Sequence, residues 1–192
     1  MAERLARSRE PLPLVPLRVG QAPVRQGEPC VAVWRVGSGM LTASAVGDDG
    51  RELTLDVLGP GDAVGEPCGA VSLITVRAMR PSRLVTASGL DVAGLLAHRA
   101  RRRELLAFDL AWLGVDERVA RRLDDLAGRF GHTVPGGVSI PFRLTQDALA
   151  SLAGTSRESA NRALRRLARS GRVSVTGRGR YVVHRRLRTV AP

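Results

Sequence analysis

Residues 144–169 read LTQDALASLAGTSRESANRALRRLAR, and no other stretch limits the fold so tightly. Thr145 can cap a short helix over Gln146–Ala153, and Asp147 suits its first turn. An N-cap oxygen accepts from an orphan amide, and an acid meets the positive end of the helix dipole. Gly154 then stands where helices commonly end in a left-handed residue. Ser156 caps a second helix, Arg157–Arg169. Two short helices joined through a glycine turn make a helix-turn-helix, and Ala150 is small where they must approach closely.

The second helix divides cleanly. With Arg157 at zero and about 100° per residue, Asn161, Arg165, Glu158, Arg169 and Arg162 follow within about 140°. Leu164, Ala160, Leu167 and Ala163 fill the arc from about 240° to about 340°. Any surface helix separates polar from apolar in this way. The polar arc here is unusual in carrying four arginines and one acid, where a solvated helix mixes in more Glu for i,i+4 pairs. A net-positive helix led by an N-cap serine suits the major groove of DNA.

Downstream, Val173 and Val175 alternate, Gly177-Arg178-Gly179-Arg180 forms a basic tip, and Tyr181-Val182-Val183 returns, which reads as a two-stranded wing. Gly177-x-Gly179 lacks the following Lys-Ser/Thr and helix of a phosphate loop. Charge follows the same boundary. Residues 1–114 hold 14 Arg against 12 acids, and residues 115–192 hold 16 Arg against 6, so nearly all of the net +12 belongs to the last third or so. That asymmetry points to a polyanion, either nucleic acid or an anionic membrane surface.

Ahead of this region the texture differs. Residues 1–17, with Pro11, Pro13 and Pro16, suit an extended lead-in. From Arg18 to Ala87, short apolar stretches alternate with turn signals such as Gly37-Ser38-Gly39, Gly47-Asp48-Asp49-Gly50 and Gly59-Pro60-Gly61-Asp62. Glu52–Leu58 alternates with period two, and Asp49-Gly50 marks a hairpin tip, as in an antiparallel roll. From Asp91 to Phe130 there is no proline. Leu106, Leu110 and Leu113 form a 4–3 seam on a helix of at least about twenty residues. The seam suits either packing on the same chain or a twin helix in a homodimer. Gly114 separates this helix from a second, Val115–Arg129, with Val119, Leu123 and Leu126 inward. The expected class is α+β: an N-terminal antiparallel, jelly-roll-like β-roll (1–90), a long central dimerisation helix (91–114) and a C-terminal winged helix-turn-helix (115–192).

These segments, LTQDALASLAGTSRESANRALRRLARSGRV and GRGRYVV, resemble the DNA-binding domain of the CRP/FNR family of bacterial transcription regulators. Upstream, VRQGEP and VGDDGRELTLDVLGPGDAVGE are similar to that family's β-roll, and the likeness runs in family order over roughly residues 18–184. The resemblance implies base reading by Arg157, Glu158 and Arg162, phosphate contacts at Thr145, Gln146 and Ser156, and half-sites close to TGTGA in an inverted repeat. Arginine forks onto guanine and a carboxylate accepts from cytosine, so the chemistry agrees. The wing arginines Arg178 and Arg180 are further phosphate contacts. Double-stranded DNA, a second copy of the chain and RNA polymerase are the implied partners, with activation the implied outcome.

The effector half departs from the cyclic AMP pattern. Gly65 and Glu66 match the pair that meets the ribose in the family, but Ser72 and Leu73 stand where an Arg-Ser pair would hold the phosphate. Arg103 and Glu104 replace small hydroxyls on the long helix. An anion bound there would lack its cation. A vestigial pocket is expected, with the regulator working without cyclic AMP or answering to another small molecule. Arg77 and Arg80 are the nearby substitutes.

Other classes fare worse. Two cysteines, Cys30 and Cys68, and three scattered histidines give no metal or iron–sulfur spacing, no residue set suggests catalysis, and no cofactor is expected. No apolar run reaches the ~20 residues of a membrane helix, and MAERLARSRE lacks the apolar core of a signal peptide, so a cytoplasmic location is expected. An RNA-binding or membrane-surface module is the alternative from another class. An RNA reader would offer stacking aromatics, and the basic region has only Tyr181 and Phe142.

Overall fold

The computed structural model describes residues 14–67, 69–87, 91–177 and 179–184. The expectations for residues 1–13, Cys68 and Arg178 lie outside them. Eleven strands and four helices are seen among the described residues. In chain order they are β1 (Leu14–Leu17), β2 (Trp34–Ser38), β3 (Leu41–Val46), β4 (Glu52–Leu58), β5 (Ala63–Val64), β6 (Thr75–Ala78), β7 (Ser82–Thr86), α1 (Asp91–Trp112), α2 (Val115–Phe130), β8 (His132–Val134), β9 (Gly137–Ser139), α3 (Gln146–Leu152), α4 (Arg157–Arg169), β10 (Val173–Val175) and β11 (Tyr181–Val183).

Two compact units result. The first comprises residues 1–43 and 57–101, the second residues 44–56 and 102–192. This division differs from boundaries at residues 90 and 114. Helix α1 is shared at Arg101/Arg102, and the tip of the β3–β4 hairpin belongs with the C-terminal part of the chain.

The first unit holds the antiparallel sheet β1-β7-β2-β5, and a further sheet has the order β4-β3-β6. Val36, Leu41, Val57, Leu58, Val64, Val76 and Leu84 fill its core, each no more than 1% exposed. The segment Leu14–Leu17 is a strand rather than an extended lead-in: Pro16 pairs with Arg83 of β7 at the sheet edge. Edge position explains why a residue without an N–H is tolerated there. Gly65 has φ +95°, and a Cβ on it would lie 2.4 Å from the Ala32 carbonyl and 3.2 Å from the Trp34 ring. Only glycine fits this corner.

In the second unit α2 buries Val119, Ala120, Leu123, Leu126 and Ala127, and packs on α3, α4 and β11. The sheet β10-β11-β9-β8 joins the wing to a second hairpin, β8–β9, that the sequence did not suggest. Phe130 and Phe142 meet edge to face at 6.0 Å. The hairpin tip is tied to this unit by polar bonds. The Ser151 hydroxyl accepts from the Thr54 amide at 2.9 Å, lies 2.7 Å from Thr54 Oγ1 and donates to the Glu52 carbonyl at 3.0 Å. Asp56, 10% exposed, takes Arg102 at 2.7 Å and Arg129 at 2.8 Å.

Leu106 is 3% exposed within its own chain. Leu110 is half-buried, and its Cδ2 stands 2.5 Å from where a Cβ on Gly154 would be. The seam through Leu106 and Leu110 therefore packs inside the second unit. The exposed apolar stripe of α1 is its neighbour, with Leu105 at 45%, Phe108 at 54% and Trp112 at 76%. Asp109, 3% exposed, crosses the Gly114 break to bind Arg121 at 2.7 Å and Arg122 at 2.6 Å.

Candidate nucleic-acid interface

Both helices of the helix-turn-helix start as their caps demand. The Thr145 hydroxyl accepts from the Ala148 amide at 3.1 Å, and the Ser156 hydroxyl accepts from the Ser159 amide at 3.2 Å. A hydroxyl used as an acceptor keeps its own O–H, so each cap retains a donor for a phosphate oxygen. Gly154 ends α3 with φ +58°. Arg118 of α2 steadies this turn: its guanidinium donates to the Ala153, Gly154 and Leu113 carbonyls at 2.8, 3.3 and 3.0 Å. One cation thus caps the C-terminal ends of α3 and α1, where carbonyls lack partners and the helix dipole is negative. Sequence reasoning missed Arg118. The available signal was a cation following the Gly114 break.

On α4, Ala160, Ala163, Leu164 and Leu167 are buried as the angular pattern requires. The opposite arc is exposed at Arg157, Glu158, Arg162, Arg165 and Arg169. Two of these side chains meet: Arg162 lies 3.0 Å from Glu158 and also donates to Ser159 at 3.0 Å. Arg157 stands 3.7 Å from Asp147 of α3. Exposed pairs of this kind contribute little and exchange readily for other partners. Arg166 points elsewhere, forking onto Asp116 of α2 with both nitrogens. That guanidinium holds the Asp116 carboxyl below its usual value.

Between α4 and the wing lies an open crevice of about 610 Å³, lined by Arg143, Arg157, Asn161, Arg165, Gly177 and Tyr181, among others. Arg143, Arg157, Arg165 and Arg180 are exposed, and Tyr181 forms the floor at 1% exposure. Burial raises the Tyr181 phenol above its ordinary value. Gln146, expected at a phosphate, accepts instead a hydrogen bond from Asn161 Nδ2 at 2.7 Å. The arrangement presents a row of exposed guanidiniums with the carboxylates of Asp147 and Glu158 among them.

Glu66 carries a salt bridge at 2.8 Å to Arg99 of α1, and Arg99 also donates to the Gly65 carbonyl. Arg99 is 7% exposed. Sequence reasoning did not single it out, although it lies on the same inward face of α1 as Leu106, seven residues on. Ser72 is fully buried, with its hydroxyl turned onto Ile74 of its own chain at 2.9 Å. Leu73 is 79% exposed. Arg77 donates to the Gly20 carbonyl at 2.9 Å. Arg103 and Glu104 fall in the second unit, half-buried and exposed respectively. Among the described residues no group of His, Cys, Asp and Glu could hold a metal ion, and no helix is long and apolar enough to cross a membrane.

Comparison with known proteins gives a consistent picture. Residues 117–188 match the family described as "Crp-like helix-turn-helix domain", and residues 14–99 match "Cyclic nucleotide-binding domain". The CRP-like cAMP-activated global transcriptional regulator of Mycobacterium tuberculosis is 31% identical over 176 residues, covering 83% of this chain and 79% of that protein. A CRP/FNR-family transcriptional regulator from Thermus thermophilus superposes with a TM-score of 0.76 at 24% identity, over 91% of this chain and 94% of that one. The c-di-GMP responsive global regulator CLP of Xanthomonas campestris gives 0.73 at 25% identity, over the same shares of the two chains.

Proposed function

The chain belongs to the CRP/FNR family of transcription regulators, and from that premise we propose that it binds a palindromic duplex site as a homodimer, in the cytoplasm, and activates transcription through RNA polymerase. The observation that carries the DNA reading is the exposed arc of α4. Arg157, Glu158 and Arg162 stand free of the core at the edge of a crevice that Arg143 and Arg165 make positive. Arg157 and Arg162 supply forked donors for guanine, and Glu158 supplies an acceptor for cytosine. Half-sites close to TGTGA would use all three. The Thr145 and Ser156 hydroxyls, the Gln146 side chain and the wing arginines Arg178 and Arg180 then fix the register by phosphate contacts, which carry no sequence information.

The dimer is assigned to the exposed stripe of α1. Gly94, His98, Arg101, Leu105, Phe108 and Trp112 alternate in steps of four and three, the spacing of a two-stranded coiled coil. Its apolar half is exposed among the described residues, and a second copy of the same helix would cover it.

Cyclic AMP is not required in this reading. The support is local: Ser72 and Leu73 offer no cation, Arg77 is engaged by a carbonyl, and Arg99 is already balanced by Glu66. Of the three proteins named above, two are described by different nucleotides, which supports an effector that is not inherited with the fold. Selecting bound sequences from a random duplex library, with and without cyclic AMP, tests site, symmetry and effector dependence together. A palindrome recovered equally in both arms is expected; enrichment only with the nucleotide would overturn the effector-free reading, and no enrichment in either arm would overturn the DNA reading.

A further inference from the structure

Asn161 is the only asparagine in the chain, so the composition itself disfavours this residue type. It sits on the groove-facing arc of α4, half-buried between Arg157 and Arg165, and lines the crevice together with Gln146. Its Nδ2 donates to Oε1 of Gln146, the first residue of α3, at 2.7 Å.

The bond count decides what this pair can do. A carboxamide has two N–H donors and a carbonyl acceptor. The bond to Gln146 occupies one N–H of Asn161 and leaves the second N–H, with Oδ1, for another partner. That donor–acceptor edge matches the N7 acceptor and N6 amino donor of adenine in the major groove. The flanking side chains cannot substitute, because arginine offers donors only and an ionised glutamate offers acceptors only. Asn161 also lies one turn beyond Arg157, about 6 Å along the helix, which exceeds the rise of about 3.4 Å between base pairs. It therefore meets a different step. The bond to Gln146 Oε1 sets which edge of the Asn161 carboxamide carries its nitrogen.

We propose that Asn161, oriented by Gln146, is a further specificity-determining residue that reads an adenine at a step separate from those of Arg157 and Glu158. The inference rests on the DNA reading above. Gln146 is a positioning residue in it, acting through Asn161.

The test begins with the wild-type chain in the random duplex selection, followed by affinities for every single-base variant of the selected site. Asn161→Ala is expected to lose the preference for adenine by about ten- to hundredfold at one symmetric pair of positions, with the Arg157 step unchanged. Gln146→Leu should relax the same pair by a smaller factor. Gln146→Glu, which keeps the acceptor, should retain the adenine preference while weakening all sequences alike. Asn161→Gln keeps the chemistry but not the reach, so it should relax that step in a chain whose thermal unfolding matches wild type even where the alanine variant folds poorly. A uniform affinity loss in Asn161→Ala and Asn161→Gln with every base preference intact would reduce the pair to a brace between helices and overturn the proposal. If the wild type selects no sequence, the DNA reading fails first and takes this inference with it.

Discussion

The guanidinium of Arg99 lies 2.8 Å from the Glu66 carboxylate, with 9% of the arginine side chain and 21% of the glutamate side chain exposed. The two charges satisfy each other at the place where the family resemblance implies a nucleotide ribose would be met. A cyclic nucleotide entering this corner brings an anion and must compete with Arg99 for Glu66. Isothermal titration of the DNA-free protein with cyclic AMP and with cyclic GMP should therefore show no binding in the micromolar range. A micromolar constant for either would mean that Arg99 releases Glu66 to take the phosphate. Glu66→Gln, by leaving Arg99 uncompensated, should lower unfolding stability by about 3 kcal/mol.

Base reading and backbone anchoring separate by mutation. Arg157→Ala and Glu158→Ala should each cost about 1–3 kcal/mol on the best site and relax preference at one position of each half-site. Arg180→Ala should weaken every sequence alike and reduce the salt slope by about 1. A change of base preference in the wing variant alone would move recognition away from α4.

Two stripes on one helix should respond in opposite ways. Phe108→Glu with Trp112→Glu should give a folded monomer by light scattering, with operator binding much reduced. Leu106→Ala should remain self-associating but lose about 2–5 kcal/mol of stability, because its side chain is enclosed by its own chain. For the dimer, half-sites should recur about 10–10.5 bp apart. A Phe108/Trp112 variant that stays dimeric would place the contact elsewhere.

Acid sensitivity should trace in part to Asp116. The Arg166 guanidinium lowers its folded-state pKa below the 3.8 of an unhindered carboxyl. The pair's contribution is therefore whole above about 3.8 and disappears as pH falls through the lower, folded value. Urea midpoints of wild type and Asp116→Asn should differ near pH 6 and converge as the medium is taken well below pH 4. A gap that persists undiminished in acid would show that the amide costs packing rather than charge.

Helix α4 was legible because three signals coincide: the Ser156 cap, the apolar arc through Leu164 and Leu167, and the glycine before it. The hairpin β8–β9 was not, since strands of three residues such as His132–Val134 are too short to show alternation. The α1 seam illustrates a deeper limit. Leu106–Leu110–Leu113 and Leu105–Phe108–Trp112 are both series of three- and four-residue steps, offset by one or two residues, and periodicity says nothing about which one meets the chain's own core. Arg99 and Glu66 are 33 residues apart, and Glu158 and Arg162, both assigned to bases, bind each other while no DNA is present. Partnerships of charge depend on what the fold brings near, and a linear pattern records only the charges.

The tether of Ser151 to Thr54, with that of Arg129 to Asp56, changes what counts as the C-terminal half of this protein. A single cut in the sequence does not isolate it, because the peptide crosses between the two units three times, after Ala43, Asp56 and Arg101. A truncation starting at residue 115 would retain every side chain proposed above to meet DNA, yet it would leave the Ser151 hydroxyl without the Thr54 amide, Arg129 without Asp56, and Arg121 and Arg122 without Asp109. Such a fragment begins life without these polar attachments, and recovering the unit as the fold defines it means restoring both segment 44–56, by a designed linker, and residues 102–114.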